Sequence, residues 1–298
     1  MKILLLGKNG QVGWELQRSL SMLGEVVACD FDSPAELKAD FSDPESLVPL
    51  IRRVRPDAIV NAAAHTAVDK AESEPDLARR INALAPGVIA REAAALGASL
   101  VHYSTDYVFD GSGNQPRAED AATNPLSVYG HTKLEGEELI RASGCKHLIL
   151  RTSWVYAARG GNFAKTMLRL AQERERLTVI DDQWGAPTGA DLLADVSAAA
   201  LRQLTQQPAL SGTYHCAAAG ETHWHGYATF VIEWARAQGH AIRVAPDRIL
   251  PTLTQDYPTP ARRPLNSRLN TAKLRSSFRL TLPHWQPGVQ RMLAEVLG

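Results

Sequence analysis

The sequence predicts an α/β chain: a doubly wound parallel sheet followed by a smaller C-terminal α/β layer. Three observations carry this expectation. Short apolar runs, such as residues 3–6 and 57–60, read as strands buried on both faces of a parallel sheet. They alternate with longer helix-like stretches at 14–23 and 77–95, which is the rhythm of right-handed βαβ crossovers. A glycine-rich turn, Gly7-Lys8-Asn9-Gly10-Gln11-Val12-Gly13, joins the first strand to the first helix.

The totals exclude several classes. The chain has 298 residues, 45% hydrophobic and 21% charged, an ordinary globular balance. Lys plus Arg and Asp plus Glu number 32 each, so no basic field points to nucleic acid or an anionic membrane. Three cysteines, Cys29, Cys145 and Cys216, fit neither a disulfide framework nor a zinc site, so a reducing cytoplasm is expected. The N-terminal apolar run is too short for a signal peptide, and no run is long enough to span a bilayer.

In chain order, the glycine turn gives the setting of a Rossmann-type dinucleotide site. Its spacing is G-x-x-G-x-x-G, but the mechanism is shared: no Cβ blocks a pyrophosphate, and the helix N-terminus offers N–H groups. The second strand, 25–30, ends at Asp30, placed to bond adenosine ribose hydroxyls. Asp40-Phe41 precedes a capped helix start. Strand 57–60 runs into Asn61-Ala62-Ala63-Ala64-His65, small residues against which a cofactor can lie. Strand 99–104 delivers Ser104 and Thr105 to the carboxyl edge of the sheet, where ligands bind. A helix at 128–139 and a strand at 147–152 close the first unit, expected at 1–152. Residues 153–298 are expected to form mainly the substrate-binding domain, with possible returns to the sheet.

The second part reads as helices at 163–173, 190–204, 223–238 and 284–297, with strands at 177–180 and 213–217. Residues 250–264, rich in proline and carrying Arg262 and Arg263, read as a loop over a site suited to phosphate or sugar. The pair His223 and His225 lacks further clustered ligands and does not argue for a metal.

The chemistry centres on Tyr129-Gly130-His131-Thr132-Lys133. Residues i and i+4 share a helix face. An ammonium beside a phenol favours the phenolate, so the phenol's pKa is expected to fall from about 10 towards the working pH. A phenol tuned this way passes a proton to or from a substrate oxygen. The spacing is common by itself; the glycine turn and Ser104-Thr105 give it meaning.

In that order these motifs resemble the extended short-chain dehydrogenase/reductase superfamily. The match is closer to one family within it. Residues 7–16, 60–72, 102–111, 151–156, 162–168, 182–188 and 257–269 are similar to the dTDP-4-dehydrorhamnose reductase family, and the resemblance covers essentially the whole chain. It implies reduction of the 4-keto group of a dTDP-4-dehydro-6-deoxy-sugar by NADPH or NADH. It implies that Thr105 bonds the substrate oxygen, that Tyr129 supplies the proton, and that Lys133 lowers the tyrosine's pKa and holds the nicotinamide ribose. Gly10, Gln11 and Val12 are implied under the pyrophosphate, with Gly7 and Gly13 completing the turn. Asp30, Asp40, Phe41, Ala63, Ala64 and His65 are implied around the rest of the cofactor, and Asp106 and Trp154 beside the sugar. Some similar proteins form homodimers around Mg²⁺; the matching carboxylates are Glu15, Asp191 and Glu295, with Asp191 standing where Glu is usual. Another nucleotide-sugar enzyme, a 4-epimerase or 4,6-dehydratase, is the nearest rival. A non-catalytic subunit of the methionine adenosyltransferase type is the rival from another class.

Overall fold

The computed structural model describes all 298 residues. Its centre is a six-stranded sheet, parallel throughout, as the sequence predicts. Five strands come in chain order: β1 (Lys2–Leu6), β2 (Glu25–Cys29), β3 (Ala58–Asn61), β4 (Ser99–Thr105) and β5 (Lys146–Thr152). The sixth, β6 (Gly212–His215), adds beside β5. From one edge the order is β6, β5, β4, β3, β1, β2. The direction of winding therefore reverses between β1 and β3, which opens a crevice at the strands' carboxyl ends.

The unbroken apolar run in β1 is explained by cover on both faces. Ile3 and Leu5 join a core with Leu16, Leu20, Val101 and Leu150. Leu4 and Leu6 point the other way, into a core with Leu47, Ile51, Ile89 and Ile149. Period-two alternation of side chains makes one strand serve two cores. The helices that supply them are α1 (Gln11–Ser21), α2 (Leu47–Val54), α3 (Ala85–Leu96) and α4 (Val128–Ala142).

After residue 152 the chain builds a second layer and also returns to the first. Helix α5 (Phe163–Glu173), α7 (Trp224–Ala237) and α8 (Trp285–Leu297) enclose a separate core around Tyr227, Val231, Trp285 and Leu293. Between them, α6 (Ala190–Gln206) lays Leu193, Ala194 and Leu201 into the β1 core, and Leu274 and Phe278 from the short helix Ala272–Phe278 join them.

Two local features differ from the sequence reading. The stretch read as one helix over 77–95 contains a π turn at Arg80–Leu84 between α-helical Pro75–Arg79 and α3. Pro86 has no N–H to donate to the Asn82 carbonyl four residues back, and its ring crowds that oxygen. The released carbonyl lies so close to α4 that a Cβ at Gly136 would overlap it. The proline-rich stretch read as a loop starts with a strand: Ile249–Thr252 pairs in parallel with Leu177–Ile180. Pro251 is tolerated because the sheet has only two strands, leaving each with a free edge.

The glycine turn is packed directly on backbone. Gly7 has φ +87°, and a Cβ there would lie 2.6 Å from the Ala63 nitrogen. A Cβ at Gly13 would overlap the Gly7 carbonyl oxygen, a backbone atom that cannot swing aside. Gly10 is different, with its nearest atom at 3.6 Å, an ordinary contact. Gly13→Ala is therefore expected to destabilise the protein by about 1–3 kcal/mol and to weaken dinucleotide binding, whereas Gly10→Ala keeps stability within about 0.5 kcal/mol. Thermal denaturation with a cofactor titration checks both; equal melting of the two variants contradicts this account of the turn.

Candidate active site

A cavity of about 410 Å³ opens at the crevice. One wall is Gly10, Gln11 and Val12 at the start of α1. That helix is capped by Gly10 without any side-chain hydrogen bond and has no acid in its first turn, so its N–H groups and positive dipole end face the cavity uncompensated, as a pyrophosphate site requires. Ala62, Ala64 and Thr66 after β3 form the floor.

The opposite wall is set by α4. Ser127 caps it, accepting from the Gly130 N–H at 3.2 Å, while Glu72 accepts from the Val128 N–H at 2.8 Å. A side chain at position 130 would strike the Tyr107 carbonyl, so the glycine lets this turn sit against the end of β4. Tyr129 and Lys133 consequently both line the cavity, with the Tyr129 ring edge-on to Tyr107 at 5.5 Å.

The electrostatics correct one expectation. Burial pushes the Tyr129 phenol up to about 12; the nearby Thr105 hydroxyl pulls the other way, and the Asp106 charge adds to the rise. The phenol does not fall towards neutral pH. Burial is the main cause, and Lys133 does not offset it: its Nζ is turned to the Tyr103 carbonyl at 2.6 Å and His102 Nε2 at 3.2 Å. Burial in turn lowers Lys133 to about 8, against the nearby charge of Glu137, which raises it.

Ser104 and Thr105 both line the cavity, but their hydroxyls have different partners. The Ser104 hydroxyl donates to Glu137 Oε1 at 2.5 Å and is not free for a substrate. Thr105 lines the cavity, donating to Asp106 Oδ1 and accepting from the Tyr107 N–H, both at 3.1 Å. Burial drives the Asp106 carboxyl up to about 6, although the nearby Ser267 and Thr105 hydroxyls favour its charged form.

Trp154 faces the cavity with left-handed φ of 50°, a conformation that is costly for a bulky residue. Its ring stacks on Trp224 at 3.7 Å and 16°. Trp224 also lines the cavity, and sequence reasoning missed it. It stands between the two histidines weighed as a metal pair, and the indole was the informative residue there. Tyr107 and Val68 are further lining residues without a sequence signal.

Other predicted cofactor residues lie outside this cavity. Asp30 accepts from the Asn9 N–H at 3.0 Å, at the edge of the glycine turn. Asp40 is held low chiefly by the Ser42 hydroxyl, and Phe41 is buried in the second core. The Ala63 N–H is bound to Asn61 Oδ1 at 3.1 Å. His65 exchanges backbone hydrogen bonds with the Asn82 amide, at 2.8 and 3.1 Å, and its ring lies 3.8 Å from Glu74.

Glu15, Asp191 and Glu295 do line one pocket, but with two arginines. Arg18 is 3.7 Å from Glu15, and Arg291 lies 3.6 Å from Asp191 and 3.2 Å from Glu295. No group of three metal-ligating side chains forms, so these residues as placed do not fit Mg²⁺. Arg263 pairs with Asp69 at 2.7 Å, tying the proline-rich segment to the helix Val68–Ser73. Arg262 lines a second cavity of about 540 Å³.

A parallel sheet wound both ways from β1, a glycine turn, and a Tyr/Lys pair beyond β4 together define an extended short-chain dehydrogenase/reductase architecture. The comparisons with known proteins agree. The family model described as the RmlD substrate binding domain matches residues 1–297, and the chain belongs to that family. A dTDP-4-dehydrorhamnose reductase of Escherichia coli K12 is 57% identical over 296 residues, 99% of this chain and 98% of the relative. One from Shigella flexneri is 56% identical with the same coverage. Among solved structures, a dTDP-4-dehydrorhamnose reductase of Bacillus anthracis in complex with NADP superposes with TM-score 0.87 at 33% identity, covering 99% of both chains.

Behind the site, Glu137 has no exposure and is held by Arg151 at 2.8 and 2.7 Å and by Arg141 at 3.1 Å. Burial alone raises its carboxyl, but these partners with Ser104 bring it below the usual carboxylate range. Arg151→Met is expected to cost about 3–5 kcal/mol by leaving that charge short of its main partner, and adding Glu137→Leu to recover most of the loss. Urea denaturation measures both; a double variant no more stable than the single one contradicts the account.

Proposed function

We propose that this chain reduces the 4-keto group of dTDP-4-dehydro-6-deoxy-L-mannose to give dTDP-L-rhamnose, using NADPH or NADH. The observation that carries the reading is a buried, protonated phenol. Burial raises Tyr129 to about 12, and it shares one cavity with Thr105 and with a glycine-lined helix N-terminus that no side chain caps. The match over the whole chain to reductases of that name supports it.

When bound, the reduced nicotinamide supplies the hydride that the sugar's C4 carbon receives. The rest is done by this chain. Tyr129 transfers its phenolic proton to the carbonyl oxygen as negative charge develops there, so C=O becomes CH–OH. Thr105 donates a hydrogen bond to that oxygen. Lys133, lowered by burial to about 8, is favoured as the ammonium once a phenolate forms at Tyr129. Gln11 and Val12 hold the cofactor's phosphates with backbone N–H groups. Asp106 and Trp154 border the sugar.

In this reading the segments that pack on the central sheet, 1–152 with 190–215 and 272–282, serve the cofactor. The remaining segments serve the substrate. We place the enzyme in the cytoplasm, in keeping with three free, buried cysteines. A homodimer is the expected assembly, formed without a metal because the acids at its implied site are paired with arginines.

Tyr129→Phe removes the proton and little volume. Its kcat is expected to fall by about two orders of magnitude or more, with cofactor affinity nearly kept. The assay follows NADPH oxidation with the keto-sugar. Wild-type turnover in that variant refutes the role of Tyr129. Product formed without net NADPH consumption transfers the chain to the epimerases or dehydratases.

A further inference from the structure

Behind Lys133 lies a hydrogen-bond chain that the reaction above does not use. Asn61 ends β3, and its Oδ1 accepts from the Ala63 N–H at 3.1 Å. That bond orients the amide: its Nδ2 must face His102, 3.1 Å from Nδ1. An amide nitrogen only donates, so Nδ1 of His102 carries a lone pair. A neutral imidazole has a single ring proton, which therefore sits on Nε2. Nε2 lies 3.2 Å from Lys133 Nζ. An ammonium has three donors and no acceptor, so an N–H aimed at it finds no lone pair. A neutral amine meets every demand: it donates to the Tyr103 carbonyl at 2.6 Å and accepts from Nε2–H. The alternative, an imidazolium, is disfavoured, because His102 is 1% exposed and burial opposes its charged form.

We propose that His102 is a positioning residue for Lys133: Asn61 fixes its tautomer, and its Nε2–H holds the lysine nitrogen and opposes its ammonium form. The proposal rests on the reading of Lys133 as the partner of Tyr129. The groups around Lys133 are few. Tyr129 and Glu137 come from its own helix, His102 and the Tyr103 carbonyl from β4, and Asn61 stands behind His102 on β3. Arg151 from β5 pairs with Glu137. Glu137 favours the ammonium, His102 the amine, and the balance holds Lys133 ready to exchange a proton close to neutrality. The sign follows. Reduction is expected to weaken as pH rises through the lysine's ionisation, because the ammonium that stabilises a Tyr129 phenolate is then lost.

Two measurements test this. Nitrogen NMR of the histidine-labelled wild-type protein reads the tautomer directly. A proton on Nε2 of His102, unchanged across the pH range in which the protein is folded, is expected; a proton on Nδ1, or an imidazolium at neutral pH, overturns the proposal. The second is the pH dependence of kcat in His102→Leu and His102→Gln. The leucine variant loses the N–H, and its basic limb should move up by about one pH unit, a tenfold change in the ionisation. The glutamine variant keeps an N–H towards Lys133 and should keep the wild-type limb. A merely structural His102 would lower the melting temperature of both and move neither limb, and an unmoved limb in a folded His102→Leu overturns the proposal. Should that variant not fold, the tautomer decides. Full activity of Tyr129→Phe would refute the proposed reaction and leave the tautomer result standing.

Discussion

A carboxylate sealed between a helix and a sheet governs the geometry of the site. Taking Glu137 out of water costs several kcal/mol unless its partners are well placed. They are: the Arg151 guanidinium comes from β5, the Ser104 hydroxyl from β4, and Arg141 from the next turn of α4. Because the first two sit on adjacent strands, α4 cannot roll or slide without stranding a charge. Lys133 lies one turn before Glu137 and Tyr129 two turns before it. The ion cluster thus decides where both land, although neither touches it with a hydrogen bond.

Exclusion of water then acts on both groups in one direction, towards the uncharged form. The phenol rises and the ammonium falls. For oxidation of an alcohol this would be a poor start, since that direction needs a base. For reduction it is suitable, because the donor must hold its proton until the carbonyl oxygen can take it. In the proposed reaction charge appears on the phenol only as its proton leaves, and Lys133, one turn on along the same helix, then gains from it.

Much of the sheet was legible because its strands are covered on both sides, which leaves unmistakable apolar runs. Phe163–Glu173 and Leu177–Ile180 even keep the bounds read from sequence. What escaped depends on contacts between distant residues. Pro86 widens a helix turn only because Gly136 lets α4 close on the freed carbonyl. Ile249–Thr252 becomes a strand because residues 177–180 offer an edge, against its own proline. The site shows the same division. Spacing places Tyr129 and Lys133 on one face. It does not reveal that the lysine nitrogen turns to Tyr103 and His102, since that follows from the register of β4 beneath α4. Nor does it reveal the phenol's direction of shift, for desolvation is a property of the assembled fold.

The two walls of the cavity are built on different principles. The cofactor wall is local: a seven-residue turn whose glycines touch backbone within one βαβ unit. The wall at Trp154 is composite. Trp154 adopts a left-handed conformation costing about 1–3 kcal/mol, held by its stack on Trp224. Trp224 donates from Nε1 to Gln183 at 3.0 Å, and Gln183 donates to Thr254 at 3.0 Å. Four segments separated along the chain must therefore be in place before that indole points correctly. The turn and the Tyr/Lys pair suit reduction of many keto-sugars, whereas the composite wall is where one substrate can be told from another. Trp224 and Gln183 can therefore reshape this wall without touching the sheet or the Tyr/Lys pair.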